Sequence, residues 1–195
     1  MVKVFYYKFD NQFNFSISDV KNRERKSYLE SINDKKRQKQ SLVVWLLLER
    51  ILNNYYPNIN VDLLTCDNGK WYIKSNEIFF SLSHTENSVV VALSANPVGV
   101  DIEFASNKII KSKNYISRLK QFLKEKKIGN EAIFLTNVWT KSEAIYKLSL
   151  NEGYFSNKII DYINDKPLVL SVCSNKDIKV EINRVNTIKV KGDNL

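Results

Sequence analysis

At 195 residues and 44% hydrophobic content the chain has ample material for a packed core, which excludes disorder throughout; a 12% aromatic share with only 5 Gly and 3 Pro makes that core bulky and its breaks few. The 30 Lys and Arg outnumber 21 Asp and Glu, and the resulting charge of +9 favours anionic partners such as nucleic acid, phosphorylated cofactors or acidic proteins without choosing among them. Cys66 and Cys173 show no C-x-x-C spacing, which excludes a disulfide framework and a cysteine metal site and predicts two buried thiols in a reducing compartment. The N-terminal MVKVFYYKFDNQF lacks the layout of a signal peptide, and the longest apolar run, Leu42 to Leu48, is too short to span a bilayer, so a cytoplasmic location is expected.

Residues 2–9 (VKVFYYKF) have the aromatic and β-branched content of a strand, and residues 16–26 are polar and basic enough for a loop or the start of a helix. From Asp34 a basic first turn leads into an apolar stretch rich in helix formers, ended by Asn53, Asn54 and Pro57. Apolar residues on nearly every face of Leu42 to Leu52 predict a central, buried helix. Three short runs, 60–65, 70–74 and 78–82, read as strands separated by Asp67-Asn68-Gly69 and Ser75-Asn76. Two more strands follow at 88–95 and 97–104, joined by the turn-favouring Asn96-Pro97.

From Asn107 to about Ser149 the pattern is helical, with a stripe of Ile116, Leu119, Phe122 and Leu123, a break at Gly129 and a second helix from Glu131 to Leu150. The tail returns to strands at 154–163, 168–173 and 178–190, where Ile178, Val180 and Ile182 alternate with charged residues. This order predicts an α+β fold of two closely packed halves, 1–97 and 98–195, although no internal sequence repeat links them.

Three clusters carry chemistry. In PVGVDIE the strand period sends Val98, Val100 and Ile102 to one face and Gly99, Asp101 and Glu103 to the other, with the two acidic Cα atoms about 6.6 Å apart. Their carboxylates can converge on one hard cation such as Mg²⁺, and the bare Gly99 leaves space beside them; the competing reading places both on the wet face of an edge strand. In WTKSEAIYK, Glu143 and Lys147 are spaced i, i+4 and share one helical face. That pair can equally be a surface ion pair worth about 0.3 kcal/mol, or Glu143 can answer Thr140 in a capping box. In FFSLSHTEN, Ser83 adjoins His84, the chain's one histidine, at a strand end where hydroxyl, imidazole and backbone N–H groups suit phosphate oxygens.

The ordered set NGK (68–70), SLSHT (81–85), PVGVDIE (97–103) and WTKSEAIYK (139–147) resembles the 4'-phosphopantetheinyl transferase superfamily, particularly the type that activates peptide and polyketide synthases. The resemblance implies a pseudo-duplicated α+β fold with the active site at the interface of two lobes, and transfer of the phosphopantetheine arm of coenzyme A to a serine of an apo acyl or peptidyl carrier protein. It implies Mg²⁺ held by Asp101, Glu103 and Glu143, with Lys147 beside the phosphates. It further implies Ser83 and His84 as phosphate contacts, Gly69 and Lys70 as adenine and phosphate contacts, the Arg37 region for the 3'-phosphate, and a monomer. Glu143 is the expected base, Asp101 and Lys147 completing the catalytic set.

Two positions depart from the family pattern. Ser142 stands where the family commonly has Lys directly before the metal-binding Glu, and Trp71 replaces the proline of a frequent G-K-P. The alternative from another class is a basic nucleic-acid-binding module, drawn from the charge and the KKRQK run at 35–39; the aromatic residues, lying within apolar runs rather than among basic residues, argue against it. A degenerate, non-catalytic transferase is a third reading, which intact Asp101, Glu103, Glu143 and Lys147 oppose.

Overall fold

Strands whose two faces are both apolar must be covered on both sides, and that requirement builds this molecule in layers. The computed structural model describes residues 1–10, 15–67, 70–74, 78–105, 130–148, 153–163, 166–176, 178–186 and 188. In chain order the elements are β1 (Val2–Lys8), a 3₁₀ turn (Ile17–Asp19), α1 (Arg23–Glu30), α2 (Lys35–Tyr55), a second 3₁₀ turn (Val61–Leu63), β2 (Thr65–Asp67) and β3 (Lys70–Tyr72). There follow β4 (Phe79–Thr85), β5 (Ser88–Ser94), β6 (Val98–Phe104), α3 (Glu131–Leu148), β7 (Tyr154–Ile163), β8 (Lys166–Ser174) and β9 (Val180–Val185). The α+β class is as expected.

Two sheets and a small hairpin result. The larger sheet runs β4-β5-β1-β9, antiparallel except that β9 lies parallel to β1, with Val2 opposite Val180. The second runs β6-β8-β7, antiparallel throughout, and β2 pairs with β3 alone. The larger sheet therefore draws strands from both ends of the chain.

Alternation along the strands sorts side chains between the layers. Phe5, Val89, Val91, Leu93 and Phe80 face α2, whose Leu42 to Leu48 are all buried; this is the central helix expected from its apolar faces. The opposite face, with Val2, Val4, Tyr6, Val90 and Ala92, packs on Val98, Val100, Ile102, Leu168, Leu170 and Val172 of the second sheet. Beyond that sheet, Cys173 meets Val138, Ala144, Ile145 and Leu148 of α3. The stacking order is helix, sheet, sheet, helix.

Local chemistry sets the helix ends. Asp34 caps α2 by accepting from the Arg37 backbone N–H at 3.0 Å, and Pro57, with no N–H to offer, stands just beyond Tyr56. The strand expected at 60–65 is a correction: the Asn60 side chain accepts from Asp62 N–H at 3.0 Å and turns the chain into a 3₁₀ turn, so that only Thr65–Asp67 pair as β2. The capping-box reading of Thr140 with Glu143 is a second correction, since α3 begins at Glu131 and Thr140 sits inside it. Cys173 is buried but Cys66 only half so. The helix expected at 107–128, with its Ile116, Leu119, Phe122 and Leu123 stripe and the Gly129 break, lies outside the described residues. No helix among the described residues is long and apolar enough to cross a membrane.

Candidate active site

The site is assembled where α3 crosses β6. A Cβ built on Gly99 would overlap the Ala144 carbonyl oxygen and lie 2.9 Å from its carbon and 3.1 Å from Leu148 N. The space left by the missing side chain is thus filled by helix backbone, a different use of Gly99 from the room for a cation that its position invites. Farther along α3, Thr140 Oγ1 lies 2.6 Å from Ser171 Oγ on β8, the residue opposite Asp101. These two contacts fix the register of helix on sheet. Residues 140, 143, 144 and 147 form one stripe at helical spacing, so the same register carries Glu143 and Lys147 to β6.

Lys147 completes the approach. Its Nζ donates to Val100 O at 2.9 Å and to Asp101 Oδ1 at 2.8 Å, joining helix and strand through a buried carboxylate. Asp101 is 4% exposed, which removes the wet-face reading for it. Its Oδ1 also accepts from Ser83 Oγ at 2.6 Å, whereas Oδ2 is buried without a hydrogen-bond partner among the described residues. A buried carboxylate oxygen left alone costs on the order of 1–3 kcal/mol, which a cation or a donor brought by a ligand would relieve.

Glu103 stands in the same field. Burial, then the neighbouring Asp101 charge, push its carboxyl up to about 7, with Glu143 adding to the rise and Thr85 and Lys147 opposing it. Glu143 therefore lies within electrostatic reach of Glu103, although no group of three His, Cys, Asp or Glu side chains that could hold a metal ion occurs among the described residues. The donor set nevertheless fits a hard divalent cation: oxygen ligands only, one of them orphaned and another whose pKa is raised by burial and then by the neighbouring Asp101 charge.

His84 follows Ser83 on β4 but, opposite Val89, it points to the α2 side of the sheet. Burial, then Lys147 and Arg37, lower its pKa to about 4, so the imidazole is neutral at physiological pH and keeps one N–H to donate. Arg37, in the first turn of α2, is thereby brought into the same field as Lys147 and Asp101. Lys70 stands apart, exposed on β3 opposite Asp67, and lines a hollow of 240 Å³ with Pro97 and Val98. Gly69 lies outside the described residues.

Three residues of the site went unread in the sequence. Ser81 and Thr85 share Ser83's face of β4 and hold β6: Val100 N–H donates to Ser81 Oγ at 3.0 Å, and Thr85 Oγ1 donates to Glu103 Oε2 at 2.8 Å. The S-x-S-x-T alternation was the signal. Arg25 is the third, buried among the rings of Tyr28, Trp45 and Trp71 at 4.8, 4.7 and 5.4 Å, with Nη2 donating to Ser41 O and Oγ. Nothing in the sequence marks it from other basic residues.

No family model matches the chain. It is similar to a protein named 4'-phosphopantetheinyl transferase gsp from Aneurinibacillus migulanus, 27% identical over 165 residues that cover 80% of this chain and 68% of the relative. That match supports the 4'-phosphopantetheinyl transferase superfamily. Both departures from the superfamily pattern find structural places. Ser142 is buried and donates to Trp139 O at 2.9 Å, while Lys141 Nζ lies 5.8 Å from the Phe155 ring. Trp71 meets Trp45 edge-on at 4.8 Å and so fastens the β2–β3 hairpin to α2.

Proposed function

We propose that this chain transfers the 4'-phosphopantetheine arm of coenzyme A to a serine of an apo carrier protein in the cytoplasm, with Mg²⁺ as cofactor, releasing 3',5'-adenosine bisphosphate. The observation that carries the reading is the Gly99–Ala144 contact of helix on strand, which sets Lys147 on Asp101 and Glu143 within reach of Glu103. The proposed duplicated units are two lobes, 1–97 and 98–195, with β9 of the second completing the sheet of the first, and the site falls between them. The chain acts as a monomer in this reading.

Asp101, Glu103 and Glu143 would hold Mg²⁺, which when bound neutralises the pyrophosphate and polarises its oxygens. Glu143, half-buried at the site's edge, takes the proton of the carrier serine as its hydroxyl attacks the phosphorus. Lys147, already 2.8 Å from Asp101 Oδ1, adds positive charge where the departing bisphosphate accumulates negative charge. His84 offers its N–H to a phosphate oxygen, and Arg37 takes the 3'-phosphate. Gly69 and Lys70 contact the adenine and phosphates. That Arg37 of the KKRQK run shares an electrostatic field with His84 and Lys147 supports this reading over a nucleic-acid module.

The formal charge of +9 suits polyanionic coenzyme A and an acidic carrier surface, and the association rate should fall as salt is added. The direct test is incubation with coenzyme A, Mg²⁺ and a panel of apo carrier proteins, followed by weighing the carriers. A gain of the phosphopantetheine mass on one carrier supports the reading and names the partner; no gain on any carrier, with coenzyme A untouched, overturns it.

A further inference from the structure

Along β4 three hydroxyls at alternate positions meet β6 at three successive points. Ser81 accepts from the Val100 N–H at 3.0 Å, Ser83 donates to Asp101 Oδ1 at 2.6 Å, and Thr85 donates to Glu103 Oε2 at 2.8 Å. All three are buried, at 7%, 6% and 8% exposure, so water does not replace these bonds freely. A hydroxyl has one proton. With Ser83's proton given to Asp101 and Thr85's to Glu103, neither side chain has a proton left for a phosphate oxygen.

We propose that Ser83 and Thr85 are positioning residues, which pin one oxygen of each strand carboxylate and so preset the acidic pair for a divalent cation. The inference rests on the transferase reading of the site and assigns Thr85 a part in it. For Asp101 the consequence is visible: Oδ1 is saturated by Ser83 and Lys147, and Oδ2 is the oxygen left over. For Glu103, the Thr85 bond selects one rotamer of a long side chain that would otherwise lose more rotamer entropy on binding a cation. Partners of this kind, one bond removed from a metal, typically change metal affinity or activity 10- to 100-fold.

Thr85→Val removes the hydroxyl and keeps the volume, and Thr85→Ser keeps the hydroxyl. Mg²⁺ titration by calorimetry at saturating coenzyme A, together with kcat and KM for the carrier, should show Mg²⁺ affinity about tenfold weaker in Thr85→Val. Thr85→Ser should match the wild type, and KM for the carrier should not move. Thr85→Ala supplies the same comparison if the valine variant does not fold. Equal Mg²⁺ affinity in wild type and a folded hydroxyl-free variant overturns the positioning role alone. A wild type that takes up no Mg²⁺ with coenzyme A present overturns the transferase reading, and this inference with it.

Discussion

The two helices that cover the sheets do so by opposite means. α2 lies on β1 and β5 through large side chains, with Trp45, Leu47, Leu48 and Leu52 all fully buried, and nothing in that interface needs the backbones close. α3 meets β6 through Gly99 and Ala144, and β8 through Thr140 and Ser171, small residues that admit the helix backbone to contact distance. The first interface is built for stability, and the second sets Lys147 on Asp101 and brings Glu143 into the electrostatic field of Glu103. Placement to within a bond length demands short, stiff contacts, which small residues and hydroxyl pairs provide and long apolar chains do not.

Paired substitutions should separate the two roles. Leu47→Ala in α2 is expected to cost about 2–5 kcal/mol in urea unfolding while the surviving folded protein keeps its Mg²⁺ affinity. Gly99→Ala is expected to cost about 1–3 kcal/mol through overpacking, yet to lower Mg²⁺ affinity as well, because the methyl group must push α3 off β6. Equal effects of the two on Mg²⁺ affinity would erase the distinction.

Lys147→Met should act next most strongly. It strips Asp101 of its cationic partner, and since the Lys147 side chain is 27% exposed the loss is nearer about 1–2 kcal/mol than the larger figures for a fully buried pair. Added Mg²⁺ should recover part of that loss, measured as a shift in the thermal midpoint, because a second cation can then answer Asp101. A midpoint unmoved by Mg²⁺ would contradict the placement of the cation beside Asp101.

The smallest effect is in the pH dependence of stability, where two groups oppose each other. Glu103, raised to about 7, binds more protons folded than unfolded, so its contribution is full below its ordinary value and lost as pH rises through about 7. His84, lowered to about 4, binds fewer protons folded, so its contribution is lost as pH falls through 6.5 toward about 4. Urea unfolding of Glu103→Gln should therefore expose a rise in stability between pH 4 and 6.5, and His84→Gln a fall between pH 4.5 and 7. Parallel curves for the two variants would contradict both assignments.

What could be read in the sequence was local. Asp34 and Pro57 bracket α2, and alternation in VGVDIEF places Asp101 and Glu103 on one face, because caps and strand periodicity are written in neighbouring residues. The reason for Gly99 was not legible, since it lies in Ala144, 45 residues away by the numbering and on another element. For the same reason the parallel pairing of β9 with β1 and the hydroxyl contacts from β4 to β6 escaped notice. Residues 60–65 misled because Asn60 offered the backbone a nearer hydrogen bond than any strand did.

In the proposed transfer the base is Glu143, which α3 brings into the field of Glu103, and the reaction depends on that role. It is tested most directly by mass spectrometry of an apo carrier, accepted by the wild type, after single-turnover incubation with Glu143→Gln, coenzyme A and Mg²⁺. The variant, with wild-type circular dichroism, is expected to leave the carrier unmodified; conversion at the wild-type rate would rule Glu143 out as the base.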